Sequence, residues 1–160
     1  MEDKSTYILF KLSDDTFAVD VENIIHIMEM TEITPLPKSP VFVKGISIFR
    51  GNILPIIDLR LKFGLQNVSA SSKGYIIVTN FLSDEKVQEI GLVVDKVLHV
   101  SEFSEMDIES YPELGSKCNI EFINGFLKEK EDIILVLNID KILSSAEIQI
   151  LKKETDNVNI

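Results

Sequence analysis

Tryptophan is absent from this chain, cysteine occurs once, at Cys118, and there are two histidines, His26 and His99. A lone cysteine excludes an internal disulfide and fits a reducing compartment. The absence of tryptophan weakens a sugar- or proline-peptide-binding reading. Basic residues are outnumbered 16 to 26 by acidic ones, a formal net charge of -10. That argues against a nucleic-acid surface, which needs Lys and Arg to replace counterions at phosphates, and against direct insertion into or attraction to an anionic membrane. No apolar run approaches the roughly 20 residues of a membrane helix, and the acidic opening Met1 to Thr6 has no apolar signal core. Gly-rich phosphate loops, a nucleophile elbow and an HExxH helix are all missing. A cytoplasmic protein without a cofactor is the expectation.

What is present is a great deal of apolar β pattern. The chain has 160 residues, 45% of them hydrophobic, enough for one domain or two small subdomains sharing a core. Its organising stretch is Gly45 to Gly64. The apolar arm Ile46–Phe49 and the arm Ile53–Ile57 flank the break Arg50-Gly51-Asn52, which reads as a β-hairpin with Arg50 at its lip. Gly51 supplies the positive φ such a turn needs, and Asn52 tolerates it next best. Asp58 reads as the N-cap of a short amphipathic turn that Gly64 stops. Upstream, Tyr7–Leu12, Phe17–Val21 and Ile24–Met28 read as strands, and Thr34–Pro40 as a proline-rich crossing. Gln66–Gly74 reads as a linker. Ala146–Lys153 reads as a helix capped by Ser144 or Ser145, fraying from Glu154.

The pattern occurs twice. Tyr75-Ile76-Ile77-Val78 echoes Tyr7-Ile8-Leu9-Phe10. Ile90–Val100 aligns with Phe17–Ile27, His99 falling on His26. Val43-Lys44-Gly45-Ile46 aligns with Ile123-Asn124-Gly125-Phe126, and Ile53–Phe63 with Ile133–Leu143 without a gap. Agreement of several segments in one order predicts a duplicated β unit, with subdomain 1 at about 14–65 plus parts of the termini and subdomain 2 at about 75–145. Each unit alone has too little core and exposes edges; packing the two together buries both.

Converging catalytic groups are not evident. His26 and His99 read as ordinary half-buried imidazoles rather than a metal pair, since zinc wants three or four ligands. Cys118 has no His nearby to activate it. The acidic runs lack the ligand spacing of a calcium loop. No catalytic or metal-binding residue is expected. The surplus of branched aliphatics points instead to an apolar groove for a partner's helices, with Arg50 as an interface anchor.

The string Phe42–Leu59, FVKGISIFRGNILPIIDL, with Phe10–Val21, Ile33–Pro37 and Gly91–Val97, resembles the CheW family of bacterial chemotaxis coupling proteins over roughly residues 5–152. The resemblance implies a mainly β fold: two SH3-like five-stranded β-barrel subdomains sharing a hydrophobic core, with short helices and a C-terminal helix. It implies a non-enzymatic adaptor that couples chemoreceptors to the histidine kinase CheA; the alternative is a CheW-like adaptor in a twitching or gene-regulatory pathway. The implied partners are the CheA regulatory domain and the chemoreceptor cytoplasmic hairpin tip, met in arrays at the inner membrane face. By the same resemblance Ile8, Val21, Ile24, Ile27, Val97 and Val100 line a receptor groove. Gly45 and Arg50, with Phe42, Ile108 and Leu114, bear on kinase and receptor coupling. Several members carry Glu at the position of His26, which can pair with the hairpin Arg. Here a different acid, such as Glu29 or Glu32, must serve, or Arg50 lacks that partner. With no receiver or kinase extension, a stand-alone adaptor is the simplest expectation.

Overall fold

The structure is a computed structural model and describes residues 4–64, 74–83, 86–109 and 122–156. Ten strands appear among the described residues: β1 (Lys4–Leu12), β2 (Asp15–Asp20), β3 (Ile24–Glu29), β4 (Val43–Phe49), β5 (Asn52–Asp58), β6 (Tyr75–Ser83), β7 (Lys86–Val94), β8 (Lys96–Ser104), β9 (Ile123–Glu129) and β10 (Asp132–Leu137). Helix α1 (Leu59–Lys62) follows β5, and α2 (Ser145–Asp156) closes the chain. The linker expected at Gln66–Gly74 falls almost wholly outside the described residues, as do Leu114 and Cys118. Helix α2 runs past Glu154, where the sequence suggested fraying.

Two five-stranded sheets form, ordered β8-β1-β2-β10-β9 and β3-β6-β7-β5-β4. Exchanging β1–β5 for β6–β10 turns one order into the other, so the duplication governs the topology. The repeats are nevertheless interlocked. Each sheet takes its two central antiparallel strands from one repeat and three strands from the other. β1 pairs with β8, β3 pairs with β6, and the parallel pairs β2–β10 and β5–β7 also cross between repeats. The ranges 14–65 and 75–145 thus follow the repeats rather than the sheets.

Interlocking explains why the central strands are apolar on both faces. Along β1, Ile8, Phe10 and Leu12 enter the core shared by the two sheets, while Tyr7 and Leu9 enter a smaller core inside the first sheet. Along β6, Ile77 and Phe81 face the shared core, and Ile76 and Val78 a matching cluster inside the second sheet. The period of two is intact, but both faces are buried, so polar positions disappear.

Matching details recur at the equivalent ends. Glycines 45 and 125 lie beside irregularities in the β4–β5 and β9–β10 pairings. A Cβ on Gly45 would stand 2.1 Å from the Thr34 carbonyl oxygen, and one on Gly125 2.4 Å from that of Glu109. Those close approaches let Thr34 and Ile46 exchange two backbone hydrogen bonds, as Glu109 and Phe126 do. Asp58 caps α1 by accepting from the Arg60 N–H, and Asn138 caps the turn after β10 by accepting from the Asp140 N–H. Ser144 caps α2 in a capping box with Glu147, each accepting from the other's backbone N–H.

Candidate functional site

Where the two sheets meet, the shared core comes to the surface along its rim. Strands β3 and β8 are edge strands of the two sheets and equivalents in the duplication. Val21, Ile24, Ile27 and Val97 are half-buried and pack against the shared core, of which Ile8 is a buried member. Val100 is 58% exposed and pairs in register with Ile8. The structure therefore gathers five of the six expected groove residues on one cluster and sets Val100 outside it on the adjoining strand. Ile8 is core first, reachable only at the rim.

The β4–β5 hairpin closes with Arg50 and Gly51 between the paired residues Phe49 and Asn52. Both turn residues have positive φ, 52° and 82°, the pattern of a type I′ turn. Arg50 rather than Asn52 takes the second left-handed position, so the turn is one residue earlier than expected. The exposed Arg50 guanidinium lies 4.9 Å above the centroid of its own neighbour Phe49. The His26 ring lies 5.6 Å from the same phenyl ring. Neither His26 nor Arg50 forms an ion pair among the described residues, so neither Glu29 nor Glu32 serves as the acid partner. An aromatic ring occupies that place.

The other coupling candidates scatter. Gly45 is buried, its role the close crossing at Thr34. Phe42 packs against the shared core and carries the Lys62 ammonium 4.4 Å above its ring. Ile108 packs into the small core of the first sheet. These three belong to the scaffold that holds the surfaces rather than to one patch with Arg50. The two histidines are exposed, not half-buried, and sit on edge strands of different sheets. A bulge between Ile24 and His26 shifts the alternation and turns the imidazole outward. Among the described residues no three His, Cys, Asp or Glu side chains converge as a metal site.

A buried ionic network surrounds the helix cap that the sequence predicts at Asp58. The Arg60 side chain is 4% exposed and donates to both oxygens of the buried Asp58 and, at 2.7 Å, to Asp95. Asp95 also accepts the Ser13 N–H at 2.6 Å. Burial opposes the charge of Arg60, but the hydrogen bond and charge of Asp58, with Asp95, outweigh it and hold the guanidinium above its usual value. The network ties α1 to the β7–β8 corner and the β1–β2 turn, and so fixes the two sheets against each other. Beside it, the Lys62 ammonium donates to Glu147 and pins α2 to α1. Burial raises the Glu147 pKa, yet the hydrogen bonds from Lys62 and the Ser144 N–H bring it below the ordinary 4.5.

Two open clefts flank this body. One of about 380 Å³ lies between β5, β7 and α2, lined by Ile53, Phe81, Val87, Ile148 and Leu151 among others. The other, of about 460 Å³, is polar, with Asp20, Glu105, Asn124 and Asp140 around it. Burial, then Asp20 and Glu105, push the Tyr7 phenol at its edge upward and keep it neutral.

Comparison with known proteins agrees with the fold and its repeats. The family model of the CheW-like domain matches residues 6–147. The chain is 32% identical to a chemotaxis protein CheW of Klebsiella aerogenes, covering 95% of this chain and 87% of that one. It is 28% identical to protein FrzA of Myxococcus xanthus, over 88% and 86% of the two chains. The scaffolding protein TtCheW from Thermoanaerobacter tengcongensis superposes with a TM-score of 0.79 at 26% identity, covering 92% of each chain. Two interlocked SH3-like barrels, a rim of half-buried aliphatics and an arginine hairpin thus go with a matched family model across most of the sequence: the chain belongs to the CheW family of chemotaxis scaffold and adaptor proteins, which are not enzymes.

Proposed function

We propose that this protein couples chemoreceptors to a CheA-type histidine kinase, holding both in arrays at the cytoplasmic face of the inner membrane. The observation that carries the reading is the rim: Val21, Ile24, Ile27 and Val97 are half-buried on a rigid shared core, a ready apolar seat for receptor helices. The β4–β5 hairpin with Arg50 supplies a charged element for partner choice. The mechanism is positional. Each partner occupies its own surface, and the body fixed by Arg60 keeps the kinase where receptor state can bias it.

The test compares two variants in pull-downs with a kinase regulatory domain and a receptor cytoplasmic fragment. Ile24→Lys weakens receptor capture more than kinase capture, and Arg50→Asp weakens coupling while leaving the circular dichroism spectrum unchanged. Equal loss of both partners in Ile24→Lys contradicts the division of surfaces. A second reading, an adaptor in a non-flagellar chemosensory pathway, draws on the similarity to FrzA. Gene neighbourhood separates the two.

A further inference from the structure

The rim carries the same charge pattern twice. The alignment of Ile90–Val100 with Phe17–Ile27, carried on without a gap, sets Val97 on Ile24, Val100 on Ile27 and Glu102 on Glu29. Register extends the match to the faces of the strands. On β3, Ile27 pairs with Ile77 and Glu29 with Tyr75, and both partners pack in or against the shared core. On β8, Val97 pairs with Phe10, Val100 with Ile8 and Glu102 with Thr6. Phe10 and Ile8 belong to the shared core, and alternation puts Thr6 on the same face of β1. Each edge strand therefore presents two aliphatic side chains and then a glutamate along the face that meets the rim.

These glutamates have no counter-charge of their own. Glu29 and Glu102 are exposed, and neither forms an ion pair among the described residues. Glu22, exposed on the turn Val21–Asn23, adds a third carboxylate next to Val21. The cations of the same strands lie elsewhere. Strands β3 and β6 contain no Lys or Arg. Lys11 and Lys96 pair with each other on the opposite face of β1 and β8. Lys4 shares the rim face but stands at the first residue of β1, opposite Ser104 and past Glu102. The seat is thus apolar along the rim and negative beside it, with one carboxylate contributed by each sheet.

We infer that Glu29 and Glu102 are a matched pair of specificity residues, and that the receptor helix face seated on the rim carries lysine or arginine on both flanks of its apolar stripe. Covering the aliphatics with a helix strips water from the neighbouring carboxylates, which is costly unless the occupant brings cations to them. Lysine and arginine meet both demands, because their stems lie on apolar surface while their charged ends reach the glutamates. An occupant with acidic flanks meets like charge at both places and is rejected. The inference rests on the coupling reading above and adds the charge of the occupant and the residues that select it.

The test is calorimetric titration of the whole protein with a chemoreceptor cytoplasmic fragment, for the wild type, Glu29→Gln, Glu102→Gln, the double glutamine variant and Glu29→Lys. Each single glutamine variant is expected to bind roughly two- to fivefold more weakly at about 50 mM salt, the worth of one exposed ion pair. The double variant should lose the product of the two, since the sites lie on different sheets. Glu29→Lys, which turns attraction into repulsion, should lose roughly five- to twentyfold. Raising salt to about 500 mM should weaken the wild type and leave the double variant nearly unchanged. A fragment whose tip lysines and arginines are exchanged for glutamine should no longer distinguish the wild type from the double variant. Both positions are exposed, so circular dichroism spectra and melting temperatures should stay at wild-type values. Wild-type affinity in the double variant, loss in one single variant alone, or equal salt dependence of the two proteins overturns the inference and leaves the coupling reading standing. Charges on edge strands also guard against strand pairing; aggregation of the double variant with undiminished receptor affinity assigns the glutamates that role instead and likewise overturns it. Absence of receptor binding by the wild type at every salt concentration removes both readings.

Discussion

Gly45→Ala tests the crossing on which the hairpin stands. The added Cβ would lie 2.1 Å from the Thr34 carbonyl oxygen and 2.7 Å from its carbon. Both distances are far inside van der Waals contact, and the obstacle is backbone, so no side chain can rotate away. The segment must retreat, and the two Thr34–Ile46 hydrogen bonds, each 2.8 Å, are lost or stretched. At about 1 kcal/mol each they account for about 2 kcal/mol. Holding alanine at φ +150° adds about 1–2 kcal/mol. The sum, about 3–4 kcal/mol, corresponds to a fall in melting temperature of roughly 6–16 °C for a domain of this size. Gly51→Ala is the control: its φ is +82° but nothing lies within 4 Å, so the cost is about 1 kcal/mol from backbone strain alone. Gly125→Ala, with the Glu109 oxygen at 2.4 Å but no positive φ, should lose the matching pair of hydrogen bonds without the conformational cost, about 2 kcal/mol. Thermal and urea unfolding followed by circular dichroism reads all three. A Gly45→Ala melting temperature within about 2 °C of the Gly51→Ala value would refute the reasoning.

Arg60→Leu should cost about 3–5 kcal/mol in urea unfolding, since it strips the buried Asp58 of its hydrogen-bonded cation and leaves only the Lys44 ammonium at 4.0 Å, and Arg60→Lys should recover little because one ammonium cannot bridge Asp58 and Asp95. The folded-state pKa of Glu147 lies below its ordinary 4.5, so its contribution is complete above that value and is lost as pH falls through the depressed folded value. Stability measured from pH 6 down to pH 3 should therefore fall less steeply in Glu147→Gln than in the wild type; parallel curves contradict the Lys62–Glu147 tie. Ile24→Lys should lower the melting temperature by only a few degrees, because a half-buried site lets the lysine stem cover the core while its ammonium reaches water; global unfolding would make Ile24 plain core.

The duplication was legible because matched positions carry matched backbone tasks: Gly45 with Gly125, Asp58 with Asn138, Arg50 with Lys130, whose φ is also positive at 57°. The interlocking was not legible. Whether β3 pairs with β6 or folds back within its own repeat is decided by non-local packing, and both arrangements demand the same alternating pattern. The outward turn of His26 depends on a bulge that has no residue signature of its own. Arg60 sits in a short amphipathic turn, where a charge ordinarily faces water; its burial follows from Asp95, 35 positions on, arriving at the same corner. The rim residues were visible as aliphatics in excess, while the split between buried Ile8 and exposed Val100 follows from β1 being central and β8 being at an edge.

Co-sedimentation of a CheA-type kinase with receptor-bearing membranes, with and without this protein, tests the central claim most directly. Kinase should pellet with the membranes in proportion to added protein, and Arg50→Asp should reduce that recruitment. Kinase that stays in the supernatant at every concentration, while the protein itself binds neither component, would contradict the account.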